Sequence, residues 1–433
     1  MLDTPKYEKY KASEIPDLGD IPAHWQVIRN RFLFNEQKAR SSAGAETHLC
    51  MSQKLGLVPS DDFKDKTLQS ESYEGGRLCN KGDLVLNRLK AHLSVFAIAP
   101  CDGLVSPDYS VFRIQDLEMV PEYFDHLFKT PVYLSEFNRR VKGIVAGFYR
   151  LYSGDFNDVK ALCPPIEEQK RIVEFLDRKT AEIDEAIAQK QRLIELLQEQ
   201  KAIFINQAVV KGLNPDAEMR DSGIDWIGEI PDGWKSQRLK FSVRKIYDCK
   251  NRTPEYFESG KYFVIRTSNV RDGQLKLKEG LYTDKSNFVE WTQKGQPMPG
   301  ELVFTREAPA GEVAMVPGGT EMCLGQRMMG IKHKDSEVLS SYLLYFLQSQ
   351  SLKEYVAVNS AGSTVTHLRV GQVFDIPLIY PSQIAEQKEI VSRCATHTEE
   401  TENACHLIED DIQKIQELRQ TLVANAVTGK IKI

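Results

Sequence analysis

Two long stretches of this chain carry apolar residues at every third and fourth position, with charges between them. The first frame runs Leu176, Ile183, Ile187, Ile194, Leu197, Phe204 and Ala208, interrupted by Thr180, Lys190 and Lys201. The second runs Cys394, Thr398, Thr401, Cys405, Ile408, Ile412, Ile415, Arg419, Leu422 and Ala426. This is the heptad spacing of a helix that packs on another helix. Pro164-Pro165 announces the first helix, because proline lacks a donor and is tolerated where a helix begins. Glu167 and Glu168 follow in the first turn, where they complement the helix dipole. Nothing breaks the pattern until Gly212 and Asn214-Pro215. The predicted helices span 166–211 and 384–428, each a rod of roughly 65 Å at 1.5 Å per residue. Helices this long must bury their stripe. The economical partner for each is the other, in an antiparallel pair that throws the two globular parts to opposite ends.

Shorter periods lie between the rods. Leu84-Val85-Leu86 and Leu302-Val303-Phe304, each behind a Gly-Asp or Gly-Glu turn, predict strands. Residues 95–98 and 313–316 predict second strands, and 109–114 and 328–331 third ones. Helical periodicity follows over about 121–141 and 337–357, with Tyr342, Leu343, Tyr345, Phe346 and Leu347 on or near the buried side. The expected fold class is therefore α/β (α+β) in two copies, joined by two long antiparallel coiled-coil helices. Residues 212–229, rich in Gly, Pro and Asp, read as a connector.

The same elements recur because the chain repeats itself. Glu168-Gln169-Lys170-Arg171-Ile172-Val173 returns as Glu386-Gln387-Lys388-Glu389-Ile390-Val391 at a lag of 218 residues. The same lag carries Ala208-Val209 onto Ala426-Val427, Gly82-Asp83-Leu84-Val85 onto Gly300-Glu301-Leu302-Val303, and Arg88 onto Arg306. Ile21-Pro22-Ala23-His24-Trp25 matches Ile230-Pro231-Asp232-Gly233-Trp234 at a lag of 209. Solenoid units run only about 20–50 residues, so this is a duplicated module. A monomer built like a dimer suits a pseudo-symmetric target.

Composition narrows the class. No apolar run approaches the roughly 18 residues of a membrane span. Residues 1–11 are polar with no apolar stretch behind them, so no secretory signal is expected. The eight cysteines form no CxxC pair and no Cys/His cluster of zinc spacing, so reduced thiols, a cytoplasmic setting and no metal are expected. The net charge is −5, with the acid concentrated on the long helices and the connector. The globular parts are near neutral to mildly basic, which leaves room for a local basic face.

Catalytic signatures are missing. There is no phosphate loop, no dinucleotide fingerprint and no nucleophile elbow. Ser106-Pro107-Asp108-Tyr109 shares the polar-Pro opening of the amino-methyltransferase motif, but it lacks the second proline and reads as a strand-entry turn. What remains are donor-rich loops at matching places in both modules. In the first these supply Arg88, Lys90, His92, Lys142, Tyr149 and Arg150; in the second, Asn251, Arg252, Arg266, Asn269, Arg306, Gln326, Arg327, Ser363, Thr364, His367 and Arg369. Such side chains read base edges and hold phosphates, so all are candidate DNA contacts.

The order of module, long helix opening Pro-Pro-x-x-Glu-Gln, module, and long helix opening with a related Glu-Gln resembles the specificity subunits of type I restriction–modification systems. The resemblance covers nearly the whole chain. It is carried by residues 164–173, both Ala-Val endings, the Ile-Pro-x-x-Trp entries and Gly362-Ser363-Thr364. The second helix departs from it by opening Tyr380-Pro381-Ser382, and the first module has Gly143 to Phe148 where the second has Gly-Ser-Thr. The resemblance implies target-recognition domains at 1–163 and 230–381, long helices within 164–212 and 382–433, and a linker at 213–229. It implies a non-catalytic subunit that reads a bipartite double-stranded site with a nonspecific spacer; recognition domains at the ends of a rod can reach half-sites about one DNA turn (~34 Å) apart. Two methyltransferase subunits, acting on adenine, and translocase/nuclease subunits would be its partners. S-adenosylmethionine, ATP and Mg would sit on them. A stand-alone methyltransferase or nuclease and a coiled-coil protein-binding adaptor are the alternative classes; activity of the isolated chain, or failure to bind DNA, distinguishes them.

Overall fold

The two apolar stripes form the helices Ile166–Lys211 and Ile384–Val427. The computed structural model describes residues 5–52, 56–62, 73–93, 95–116, 118–145, 148–250, 252–278, 280–334, 336–360 and 366–433. Two units result: one of residues 1–190 with 410–433, the other of 191–409. Each unit holds one globular module, the start of the helix that follows it and the end of the other helix.

Side-chain pairs give the helix direction inside each unit. In the first, Lys190 Nζ is 3.1 Å from Asp411 and Arg419 is 3.4 Å from Asp184. In the second, Lys201 is 3.7 Å from Glu402, and the Phe204 and His397 rings are 4.4 Å apart. Rising numbers on one helix meet falling numbers on the other, so the pairing is antiparallel. Ile183, Ile187, Ile194, Leu197, Phe204, Ile408, Ile412, Ile415 and Leu422 are half-buried, whereas Leu176 is fully buried in the module core.

The Glu-Gln repeat has a structural duty. Gln169 accepts the Val120 N–H at 3.1 Å and donates to the Pro164 carbonyl at 2.9 Å. Gln387 accepts from Leu339 N–H at 2.9 Å and donates to the Glu337 and Pro381 carbonyls at 2.8 and 2.9 Å. Both amides are fully buried and clamp a helix start onto its module. The preceding glutamates face the module entry: Glu168 accepts from Tyr7 and His24, and Glu386 from Trp234 Nε1 at 2.9 Å. The Ala-Val endings are buried for a related reason. Tyr123 donates to the Val427 carbonyl and Tyr342 to that of Val209, both at 2.9 Å. Small residues let each helix end approach the core this closely. Gly429, at φ +71°, would place a Cβ 2.3 Å from Pro22, and Gly212, at φ +75°, one 3.2 Å from Trp234.

Each module is built on a four-stranded antiparallel sheet. In the first unit its strands are β1 (Phe34–Gln37), β2 (Leu84–Asn87), β3 (Phe96–Ile98) and β4 (Tyr109–Ile114). In the second they are β5 (Lys245–Asp248), β6 (Leu302–Thr305), β7 (Val313–Met315) and β8 (Met328–Lys332). The spatial orders, β1-β4-β2-β3 and β5-β8-β6-β7, are the same. One face of the first sheet packs on an aromatic core that includes Phe34, Phe96, Phe112, Phe124, Phe128, Phe137 and Phe156. The other face differs between modules. The second unit covers it with a three-stranded sheet containing a parallel pair, Tyr262–Ile265 with Glu321–Leu324; the first uses two short antiparallel pairs.

Several expectations are corrected. The helix expected over 121–141 is two, Pro121–Phe128 and Pro131–Asn138, because Pro131 lacks a donor and forces Thr130 into extended backbone at ψ 153°. The one expected over 337–357 is also two, Ser340–Phe346 and Gln350–Asn359, divided at Ser349, whose hydroxyl turns back to the Phe346 carbonyl at 2.7 Å. The connector is not a loose link. Met219–Asp221 pairs with Glu229–Pro231, just as Tyr10–Ala12 pairs with Asp20–Pro22. Ser13 and Ser222 each accept the N–H two residues on, at 3.2 Å, so the duplication extends further upstream than the motifs suggest.

All eight cysteines are free thiols, and burial pushes those of Cys79, Cys163, Cys323 and Cys394 up to about 12. Among the described residues no helix is long and apolar enough to cross a membrane, and no His/Cys/Asp/Glu cluster of three could hold a metal.

Candidate nucleic-acid interface

The end of β2 and the end of β6 deliver the chain to the same place in each unit. Arg88 follows β2 and Arg306 follows β6. The carbonyl of Arg88 accepts from Leu151 N–H at 3.1 Å, and that of Arg306 from Leu368 N–H at 2.9 Å. This shared bond makes Arg150 and His367 structural equivalents, although the loops before them differ in sequence. Asp108 and Arg327 are equivalent too, since they precede the paired starts of β4 and β8.

In the first unit three guanidiniums gather there. Arg88 folds inward, its Nε 2.7 Å from the Asp108 carbonyl and its Nη2 3.2 Å from that of Pro107. Arg150 Nη2 donates to the Asp108 carboxylate at 2.9 Å, and Arg77 Nη1 to Glu36 at 3.1 Å. Burial lowers the Arg88 pKa, and the charges of Arg77 and Arg150 lower it further. Three cations against two carboxylates leave a positive site that suits an anion. Arg77 and Arg150 each keep a buried Nε without a partner. Nearby, Lys142 Nζ pairs with Asp155 at 3.1 Å and stands 5.8 Å from the Tyr152 ring centre. Lys90 and Tyr149 are exposed. His92 lies in the turn Arg88–Leu93, but its side chain is outside the described residues.

The second unit inverts this arrangement. At the position of Asp108 stands Arg327, half-exposed and held at φ +69°, a left-handed backbone that costs an arginine energy. Its Nε forms an ion pair with Glu307 at 3.1 Å, and the other oxygen of Glu307 faces His367 Nδ1 at 2.9 Å. One carboxylate thus aims a cation outward, where the first unit uses cations to hold a carboxylate. Arg306 does not join this surface. It is buried, with Nε 3.4 Å from Asp248, because its backbone is tied to Arg327 and Leu368 on both sides.

The remaining candidates separate into buried and exposed groups. Asn269 is buried in a turn, accepting from Arg266 N–H at 3.0 Å and donating to the Lys276 carbonyl at 3.1 Å, so it is structural. Arg266 beside it keeps a buried, unpartnered Nε. Arg252 is exposed and shares Glu290 with Lys250, at 2.8 and 2.5 Å, with both cations over the Trp291 ring. Their charges and hydrogen bonds lower the Glu290 pKa. Gln326 and Arg369 are exposed, and Arg369 N–H donates to Gln372 at 2.7 Å. Asn251, Ser363 and Thr364 lie outside the described residues. The organising carboxylates Glu36, Asp108 and Glu307 are absent from the sequence candidates. Asp108 lies within the Ser106-Pro107-Asp108-Tyr109 stretch and Glu307 directly follows Arg306, but an acidic side chain does not read as a DNA contact in sequence.

Residues 231–409 match the family described as the type I restriction modification DNA specificity domain. Over its whole length the chain is 21% identical to a putative type I restriction enzyme MjaX specificity subunit from Methanocaldococcus jannaschii, covering 99% of that protein. It is also 21% identical to the EcoKI specificity subunit of Escherichia coli K12, over 47% of this chain and 44% of that one. Among solved structures, a chain from a study of complex assembly and conformational transition in the type I R-M system aligns at TM-score 0.69 and 15% identity, over 95% of this chain and 99% of that one. The HsdS subunit from Thermoanaerobacter tengcongensis aligns at TM-score 0.51 and 15% identity, over 95% and 98%. Both structures share the fold.

Proposed function

We propose that this chain, which belongs to the specificity subunits of type I restriction–modification systems, reads a bipartite duplex DNA site with one half assigned to each unit. Recognition of DNA sequence within the complex is its task, and it is the non-catalytic member. The observation that carries the two-half reading is the inversion at the sheet ends. An outward arginine such as Arg327 donates to guanine O6 and N7, whereas a carboxylate such as Asp108 accepts from cytosine or adenine amino groups. Two units of one fold with opposite hydrogen-bonding polarity would read different half-sites. Arg150, Lys142 and Arg252 supply phosphate-facing charge that positions the duplex, with the positive field of Arg77 and Arg88 behind Arg150.

Methylation of adenine and DNA cleavage fall to partner subunits: two methyltransferase subunits and translocating nuclease subunits. S-adenosylmethionine, ATP and Mg belong on those partners. Leu193, Leu196, Ile203 and Leu407 lie exposed on the long helices, outside the seam, and give a partner helix an apolar surface. The test is selection of bound duplexes from a random pool by the chain with its methyltransferase partner. Two fixed, unlike half-sites separated by unselected bases are expected. A single contiguous site, or turnover of DNA by the isolated chain, would refute the reading.

A further inference from the structure

Both units present the same outward-facing phenylalanine. Phe32 lies in the helical turn Asn30–Leu33 and Phe241 in Leu239–Ser242. The lag of 209 residues that relates Trp25 to Trp234 also relates them. Each turn is pinned by the same bond, Asn30 N–H to the Val159 carbonyl and Leu239 N–H to that of Ile376, both 2.8 Å. The first residue of each turn is buried, while Phe32 is 68% and Phe241 63% exposed. Beside each ring, two cations share one carboxylate. Arg29 and Arg31 meet Asp158; Arg238 and Lys240 meet Asp375 at 3.3 and 2.8 Å. Asp158 and Asp375 occupy the same place, capping the ends of Ser153–Asn157 and Val370–Phe374. Lys240 Nζ lies 5.2 Å from the Phe241 ring centre.

One exposed phenylalanine needs no explanation. Two at one structural position, in modules that have otherwise diverged, do need one. Surfaces that read unlike half-sites should differ between the units, as Asp108 and Arg327 do. A surface kept the same in both should meet something present in two identical copies. DNA phosphates are also met by both units, but a phenyl ring offers a phosphate nothing, and the neighbouring cations are already shared with Asp158 and Asp375. A large apolar ring with a charged rim has the makeup of a protein-interface anchor.

We propose that Phe32 and Phe241 anchor two equivalent docking surfaces, each taking one copy of the methyltransferase subunit through an apolar pocket. The proposal rests on the functional reading above and extends partner contact from the helices to the globular modules. The test mixes the full chain with purified methyltransferase subunit and counts bound copies by mass photometry. The wild-type chain is expected to take two copies. Phe32→Ala and Phe241→Ala should each weaken one binding step tenfold or more, and the double variant both, with melting temperatures unchanged because the rings are exposed. Phe32→Leu should restore most of the loss at its own site. A double variant that binds two copies with wild-type affinity overturns the proposal. So does normal partner binding with reduced DNA affinity of the assembled complex, which would assign the rings to DNA. A wild-type chain that takes no methyltransferase subunit would remove the functional reading, and the docking surfaces with it.

Discussion

Replacing Gln387 by alanine should destabilise the second unit more than any exposed substitution of the same size. The Gln387 amide is fully buried and makes three hydrogen bonds, to Leu339 N–H and to the Glu337 and Pro381 carbonyls. The Pro381 carbonyl lies in a buried bond; the other two partners are partly buried, and water can reach them. An unpaired buried acceptor costs about 1–3 kcal/mol and each of the two lost, rehydrated hydrogen bonds about 0.5–1.5, which together give roughly 2–6 kcal/mol. Gln169→Ala loses two such bonds in the first unit, one buried and one partly buried, for roughly 1.5–4.5 kcal/mol. Gln387→Glu should be worse than alanine, because its carboxylate would face two carbonyls that need a donor. Urea unfolding followed by far-UV circular dichroism measures each effect as a shift in the affected unit's own transition, since a two-unit chain need not unfold in one step. A Gln387→Ala protein within about 0.5 kcal/mol of wild type would refute the clamp.

Two arginines of the second unit should behave differently. Arg327→Ala is expected to cost roughly 1–3 kcal/mol of DNA affinity and relax one base position. Arg306→Ala, buried beside Asp248, should lower stability and weaken all sequences evenly; selected duplexes from both variants, compared with thermal melting, decide this. Ile194→Asp and Ile412→Asp place a carboxylate at half-buried seam positions and should each destabilise the protein by roughly 1–3 kcal/mol, so wild-type melting of both would remove the seam. Burial holds the His126 imidazole down at about 4 from an ordinary 6.5. The folded state therefore prefers the neutral ring, and this contribution to stability, complete above pH 6.5, is lost as pH falls toward 4. His126→Gln should flatten the stability–pH curve of the first unit across that window, and an unchanged slope would contradict the assignment.

Much of the architecture was legible because duplication let each copy check the other. Gly82-Asp83-Leu84-Val85 and its partner located the central strands, and the heptad frames located both rods. Breaks inside apolar stretches were harder. Pro131 was visible, yet the periodicity around it outweighed the break it imposes, and Ser349 carries no breaking signal. The Glu-Gln motif reads as a helix start, but its clamp depends on Val120 and Leu339, distant residues that no local pattern connects to it. The interface was less legible still. Arg88 and Arg306 align in sequence and both fold inward, the first onto backbone carbonyls and the second beside Asp248, so the outward charge of the second unit falls to Arg327. Asp108 and Glu307 do not stand out in the sequence, because DNA contacts come mostly from donors, whereas orientation of those donors falls to carboxylates.

The most direct test of independent reading by the two units is a module exchange. Residues 230–381 are replaced by the equivalent module of another specificity subunit, and the hybrid, assembled with its methyltransferase, selects duplexes from a random pool. One half-site should change, while the other half-site and the spacer length stay as in the parent. A hybrid in which both half-sites change together, or neither does, would contradict the account.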